Sequence, residues 1–118
     1  METHPLYPDV AACCQTYPAN TAALFQVYCD LLLERKWPEV KAVGSARLGR
    51  AVVLGRSRDA PETQLIVPIN ATEDLSAGLL DLIHAEALVH GPAAVCTLAI
   101  VGDDLTVLYY RVQAGIGV

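Results

Sequence analysis

The chain has 118 residues, enough for one packed domain and too few for a second of ordinary size. Hydrophobic residues make up 53% of it, which excludes a disordered polar chain. Its net charge of -5 argues against a stand-alone nucleic-acid binder, which needs cationic excess to displace counterions from phosphates.

The whole chain, 1–118, therefore reads as a single domain, with residues 1–20 a segment punctuated by Pro5, Pro8 and Pro18. Met1-Glu2-Thr3-His4-Pro5 lacks a basic stretch and an apolar core, so no secretory signal is expected. A short helix is predicted around Val10 to Thr16. A stronger one runs from Thr21 to Lys36, where Leu24, Val27, Tyr28, Leu31 and Leu32 recur at helical spacing as one apolar stripe. Asn20 or Thr21 would cap its start, Arg35 and Lys36 suit the dipole at its end, and Pro38 follows.

Three strands are predicted next. Val40 to Ala46 has the weakest pattern. Arg50 to Arg56 contains the β-favouring run Ala51-Val52-Val53-Leu54, and Thr63 to Ile69 contains Leu65-Ile66-Val67. Pro68 points to an edge or a bulge in the third strand. A second helix spans Leu75 to His90, capped by Thr72 or Asp74, with Leu75, Leu79, Leu82 and Ile83 buried and Gly91-Pro92 as its stop. Finally, Val95 to Val101 and Leu105 to Val112 flank Gly102-Asp103-Asp104 as a hairpin. Leu105, Val107, Tyr109 and Arg111 alternate with Thr106, Leu108, Tyr110 and Val112. Both faces are largely apolar, so one is expected against the core, leaving the other, or the strand edge, for a partner. The order implies an α/β fold, a small mixed β-sheet with helices packed on it.

The residues offer little chemistry. Cys13, Cys14, Cys29 and Cys96 match no zinc spacing and read as reduced thiols in the cytosol or nucleus. His84 and His90 are six apart, on different helix faces, so they cannot share a metal; His4 is left as a local contact. No metal, no cofactor and no membrane insertion are expected. Asn70-Ala71-Thr72 matches a glycosylation acceptor by chance if the chain is not secreted. Ser45, Ser57 and Ser76 lack a nucleophile elbow, and Gly44, Gly49 and Gly55 form no phosphate-binding loop. Glu73-Asp74 suit a helix start. Asp103-Asp104 form either a solvated turn or an acidic knob for a basic pocket on a partner. Arg47, Arg50, Arg56 and Arg58 would make a basic patch for RNA phosphates if they share a face, and a solvated charged surface if they do not.

At Phe25-Gln26-Val27-Tyr28-Cys29-Asp30-Leu31-Leu32, with Trp37-Pro38-Glu39-Val40, the chain resembles the family of smallest, structural subunits of eukaryotic tRNA-splicing endonucleases. Thr97-Leu98-Ala99-Ile100-Val101 with Val107-Leu108-Tyr109-Tyr110-Arg111 resembles the wider tRNA-endonuclease superfamily, and Thr3-His4-Pro5 also resembles that subunit's beginning. The resemblance implies a restriction-endonuclease-like fold of the endonuclease's C-terminal-domain type. It also implies a scaffold role in removing introns from precursor tRNA. Cutting subunits of the family use a Tyr and a His before and at the start of the strand that here holds Leu65-Ile66-Val67, and a Lys before the strand near Thr97. These residues would remove a 2′-hydroxyl proton, protonate the leaving oxygen and stabilise the phosphorane.

The sequence lacks that trio. No Tyr lies between Tyr28 and Tyr109, no His between His4 and His84, and the last Lys is Lys41, so Ala94-Val95-Cys96 leave the lysine site empty. No catalytic residue is therefore assigned. The resemblance implies a heterotetramer in which this chain pairs with a catalytic subunit by strand-edge addition, and an exposed apolar edge would favour a homodimer when that partner is absent. The edge would be Leu105, Val107, Tyr109, Tyr110 and Val112, continued by Gly115-Ile116-Gly117-Val118. Asp103 and Asp104 would be the docking loop. It also implies a nuclear protein, with the cytosol or the cytosolic face of the mitochondrial outer membrane as alternatives. Two other readings stay open: an RNA-binding module acting through the four arginines, and an autonomous nuclease with another active site.

Overall fold

The computed structural model describes residues 7–59, 62–73, 77–89 and 95–112. Thr3, His4, Pro5, Asp74, Leu75, Ser76, His90 to Ala94 and the Gly115 to Val118 continuation lie outside the described residues.

Helix α1 spans Tyr7–Thr16 and is followed by a 3-10 turn at Pro18–Asn20. Helix α2, Thr21–Cys29, passes into a π-helical turn, Asp30–Glu34. Strands β1 (Glu39–Ser45), β2 (Arg50–Arg56) and β3 (Gln64–Asn70) precede helix α3 (Ala77–Val89), and β4 (Val95–Val101) and β5 (Val107–Val112) end the described chain. The five strands make one sheet in the order β1-β2-β3-β4-β5. The β1–β2, β2–β3 and β4–β5 pairs are antiparallel. β3 and β4 are parallel, joined by the crossover that contains α3.

Both sheet faces are covered. On one, Leu24, Val27, Tyr28 and Leu31 of α2 and its π turn, with Val10 of α1, pack on Ala51, Val53, Ile66, Ala99 and Val101. On the other, Ile83 and Ala87 of α3 pack on Val52, Leu65, Val67, Ile69, Cys96 and Leu98. The alternation within β2 to β4 thus feeds two cores, and burying each Leu, Ile or Val stabilises the fold by about 1.5–3 kcal/mol. Coverage by helices explains why the central strands read as near-continuous apolar runs.

Several expectations change. β3 is a central strand and not an edge, and Pro68 is fully buried within it. Proline is tolerated there because the β2–β3 register ends at Val53–Ile66. The Pro68 carbonyl accepts from Arg50 Nη1 at 3.1 Å. In a strand a residue's nitrogen and carbonyl point the same way, so the missing N–H falls beyond the end of that ladder and costs β4 nothing. Asn20 stands at the capping position of α2 but makes no side-chain cap bond. Thr21 Oγ1 instead donates to Cys14 O at 3.4 Å. Thr72 lies in a turn closed by Glu73 N–H on Asn70 O at 2.9 Å, and the alternative cap Asp74 lies outside the described residues. Leu82 is 42% exposed and not part of the α3 core stripe, whereas Ile83 is buried.

The predicted helix 21–36 is not α-helical to its end. In the π turn Arg35 N–H closes on Asp30 O at 2.9 Å. Lys36 then takes φ 52. Trp37 N–H reaches back to Leu31 O at 3.0 Å and ends the helix. Trp37 turns onto Gly55 of β2: a Cβ there would lie 2.7 Å from Glu39 O and 3.0 Å from the indole. Only glycine lets ring and strand approach so closely. All four cysteines are free.

Candidate functional site

Two regions concentrate exposed or unusual side chains. The first is β5 with its hairpin tip. Among the described residues β5 is the last strand of the sheet, and none of them pairs with its outer backbone groups, which another strand could therefore meet. Its side chains divide as the alternation requires. Val107 and Tyr109 pack against the α2 core. Leu108 and Tyr110 point to the α3 side, where each is 52% exposed, because α3 packs on β4 and leaves them uncovered. A strand added at this edge would therefore meet only the backbone of Val107 and Tyr109. The backbone of Val112 pairs opposite Cys96, and its side chain lies outside the described residues.

At the tip, Leu105 N–H donates to Gly102 O and Gly102 N–H to Thr106 O, each at 3.0 Å. Leu105 takes φ 67 and is 57% exposed. Asp104 Oδ1 accepts from Thr106 N–H at 3.1 Å, and that bond holds its carboxyl below the usual range. Asp104 therefore shapes the turn, while Asp103 projects as an exposed charge.

The second region lies at the opposite end of β5, on the α2 face. Tyr109 Oη donates to Asp30 Oδ2 at 2.6 Å. Arg35 Nε donates to the same oxygen at 3.0 Å, and its guanidinium lies 4.5 Å from the centre of the Tyr109 ring. Burial first, then the bond to the Asp30 carboxylate and that carboxylate's charge, push the Tyr109 phenol well up. Beside this triad is a cleft of about 250 Å³ lined by Leu31, Trp37, Gln64, Thr97 and Arg111, among others. Sequence reading gave Arg35 to the helix dipole and missed the triad. Residues five apart do not meet on an α-helix, and only the wider π turn brings Arg35 to Asp30.

The four arginines do not make one patch. Arg50 and Arg56 sit at opposite ends of β2, about 20 Å apart at the usual strand rise. Arg50 is largely buried and pairs with Glu73 at 2.8 Å. Arg56 faces Glu39 at 3.5 Å, Arg58 Nε donates to Lys36 O, and Arg47 lies exposed in the β1–β2 turn. Glu73, expected at a helix start, clamps Arg50 and accepts Asn70 N–H at 2.9 Å. Burial alone would raise its pKa. The bonds from Arg50 and Asn70, and the Arg50 charge, outweigh burial and hold it below the usual value.

Ser45 is buried, accepting from Leu48 N–H and donating to Glu86 Oε1 at 2.8 Å, which binds the β1–β2 turn to α3. Burial pushes the Cys96 thiol up to about 11. Among the described residues no group of three His, Cys, Asp or Glu is placed to hold a metal. None of the described helices is long and apolar enough to cross a membrane.

At the ends of β3 and β4 where the resemblance puts the cutting residues, β3 opens on Gln64, paired with Val95 of β4. Both lysines precede β2, and Lys41 lies on β1, at the sheet edge opposite β5. Residues 26–117 match the family described as "Sen15 protein". The chain belongs to the Sen15 protein family. It is 32% identical to the human tRNA-splicing endonuclease subunit Sen15 over 124 aligned positions, covering 98% of this chain and 70% of that protein. The mouse tRNA-splicing endonuclease subunit Sen15 gives 32% identity, with 98% and 71% covered. The family match includes α2 from Gln26, every strand and both regions described above.

Proposed function

We propose that this chain is a non-catalytic subunit of a tRNA-splicing endonuclease and supports intron removal by pairing with a catalytic subunit through β5. Membership of the Sen15 family supports the complex. The observation that carries the docking role is the uncovered α3 side of β5, where Leu108 and Tyr110 stand exposed beside an open strand edge. A strand added there would gain main-chain hydrogen bonds and cover both side chains. Asp103 would reach a basic pocket on a neighbour within a heterotetramer. The non-catalytic reading is supported by Gln64, Val95 and Cys96 at the relevant strand ends. None of these can supply the proton transfers and the cation that strand scission needs. Reduced thiols fit a nuclear or cytosolic protein.

Co-expression with a catalytic subunit, mass measurement and a precursor-tRNA cleavage assay test the proposal together. A stable complex is expected, with cleavage by the complex and none by this chain alone. Turnover by the isolated chain would overturn the non-catalytic reading, and failure to co-purify would overturn the pairing.

A further inference from the structure

The cleft beside the Asp30–Arg35–Tyr109 triad has the make-up of a site for one unpaired nucleotide. Its floor crosses three strands: Gln64 of β3, Thr97 of β4 and Arg111 of β5. Its walls are aromatic. Trp37 packs closely on Gly55, and a Cβ at that glycine would come within 3.0 Å of the indole. Tyr109 is fixed by its bond to Asp30, with Arg35 stacked on its ring. At roughly 30 Å³ per water, a cleft of about 250 Å³ has room for several waters, or for a flat heteroaromatic ring in their place.

The charge is arranged for an anion at the rim. Arg35 is paired with Asp30 at 3.0 Å, whereas Arg111 is exposed and forms no ion pair among the described residues. Arg58, held to Lys36 O, adds positive charge where the chain turns from α2 to β1.

We infer that this cleft binds single-stranded RNA, with a base stacked against the Trp37 and Tyr109–Arg35 surfaces and a backbone phosphate on Arg111. Fixed aromatic and guanidinium planes are the surfaces on which unpaired bases stack. The Gln64 amide provides both a donor and an acceptor for a base edge. An acidic peptide would use the guanidinium groups and leave these flat walls unfilled. The site is distinct from the four-arginine patch that the structure divides. It does not depend on the subunit reading, because the chain alone can be titrated.

Trp37 is the sole tryptophan, so its fluorescence reports on the cleft directly. A short single-stranded oligoribonucleotide titrated into the full chain at low salt is expected to quench it saturably. Arg111→Ala should weaken that binding about tenfold and make the salt dependence shallower by about 0.7 in the log–log slope. Arg111→Gln, which keeps the side-chain stem, should weaken it similarly, while Arg47→Ala, in the β1–β2 turn, should leave it unchanged. Circular dichroism establishes that each variant is folded. The inference is overturned if the oligonucleotide gives no saturable quenching, if the Arg111 variants bind as tightly as the parent, or if an acidic peptide saturates the cleft and RNA does not.

Discussion

The hydroxyl of Tyr109 and the carboxylate of Asp30 meet at 2.6 Å across 79 residues of sequence, joining the edge strand to the end of α2. The bond lies where the helix widens into its π turn, and Arg35 completes it from the other side. Tyr109→Phe keeps the ring and its cation–π contact but removes the hydroxyl. A hydrogen bond to a charged group contributes about 1.5–3 kcal/mol, and partial exposure places the expected loss toward the lower end. Urea denaturation of parent, Tyr109→Phe, Asp30→Asn and the double variant would measure the coupling. Simple additivity would show that the two groups do not cooperate.

The same bond gives an alkaline signature. The folded protein holds Tyr109 protonated beyond its ordinary value, so the unfolded chain releases that proton first. Its stabilisation is fully present below about pH 10 and is lost as pH rises toward the higher folded value. The urea midpoint of the parent should fall between pH 9 and about pH 11 more steeply than that of Tyr109→Phe. Parallel curves would contradict the assignment.

Glu73 gives the opposite signature. Its folded pKa is depressed, so the Arg50–Glu73 clamp contributes stability above the unfolded glutamate value of about 4.3 and loses it as pH falls through the folded value. Glu73→Gln should cost about 1–3 kcal/mol at neutral pH, because a largely buried guanidinium loses its counter-charge. That penalty should shrink on acidification below about pH 4. Thermal melts of the two proteins from pH 7 to pH 3 test this, and a gap independent of pH would assign the loss to packing instead.

Gly55→Ala should destabilise the fold by about 1–3 kcal/mol, since the new methyl would meet Glu39 O at 2.7 Å. The indole must also move, so the emission maximum of Trp37 should shift to the red. Unchanged emission and stability would show that the contact relaxes at no cost.

Leu108→Asp with Tyr110→Asp places charge on the uncovered side of β5. Both positions are half exposed, so the isolated chain should melt within a few degrees of the parent. Pairing with a catalytic subunit should be lost, as read by size-exclusion chromatography with light scattering. A full-strength complex from the double variant would move the docking surface elsewhere.

The helices, strands and their order were legible because each carries a periodic apolar pattern. The stripe Leu24, Val27, Tyr28 and Leu31 is buried as the spacing requires, and β2 begins and ends at Arg50 and Arg56 as read. What escaped sequence reading depends on contacts between distant segments. Pro68 suits a central strand only because β2 stops pairing before reaching it. Glu73 pairs with Arg50, 23 residues away, a contact that no local pattern announces. Leu82 fits the helical stripe, yet it is 42% exposed while Ile83 and Ala87 carry the packing of α3 on the sheet. The arginines looked like a cluster in sequence, but an extended strand carries Arg50 and Arg56 to opposite ends. At the cleft, Trp37 and Tyr109 were noted for family likeness and strand alternation. Their convergence with Arg111 required the fold.

Leu105 holds a left-handed backbone at φ 67 with its side chain half in solvent. A glycine would adopt that geometry without the roughly 1–2 kcal/mol that a side chain costs there, and an exposed leucine recovers little of it from water. The free hairpin is thus spring-loaded in a modest sense. Burial of the isobutyl group under another surface would offset part of that cost while the backbone kept its turn, which would favour a sheltered tip over a solvated one.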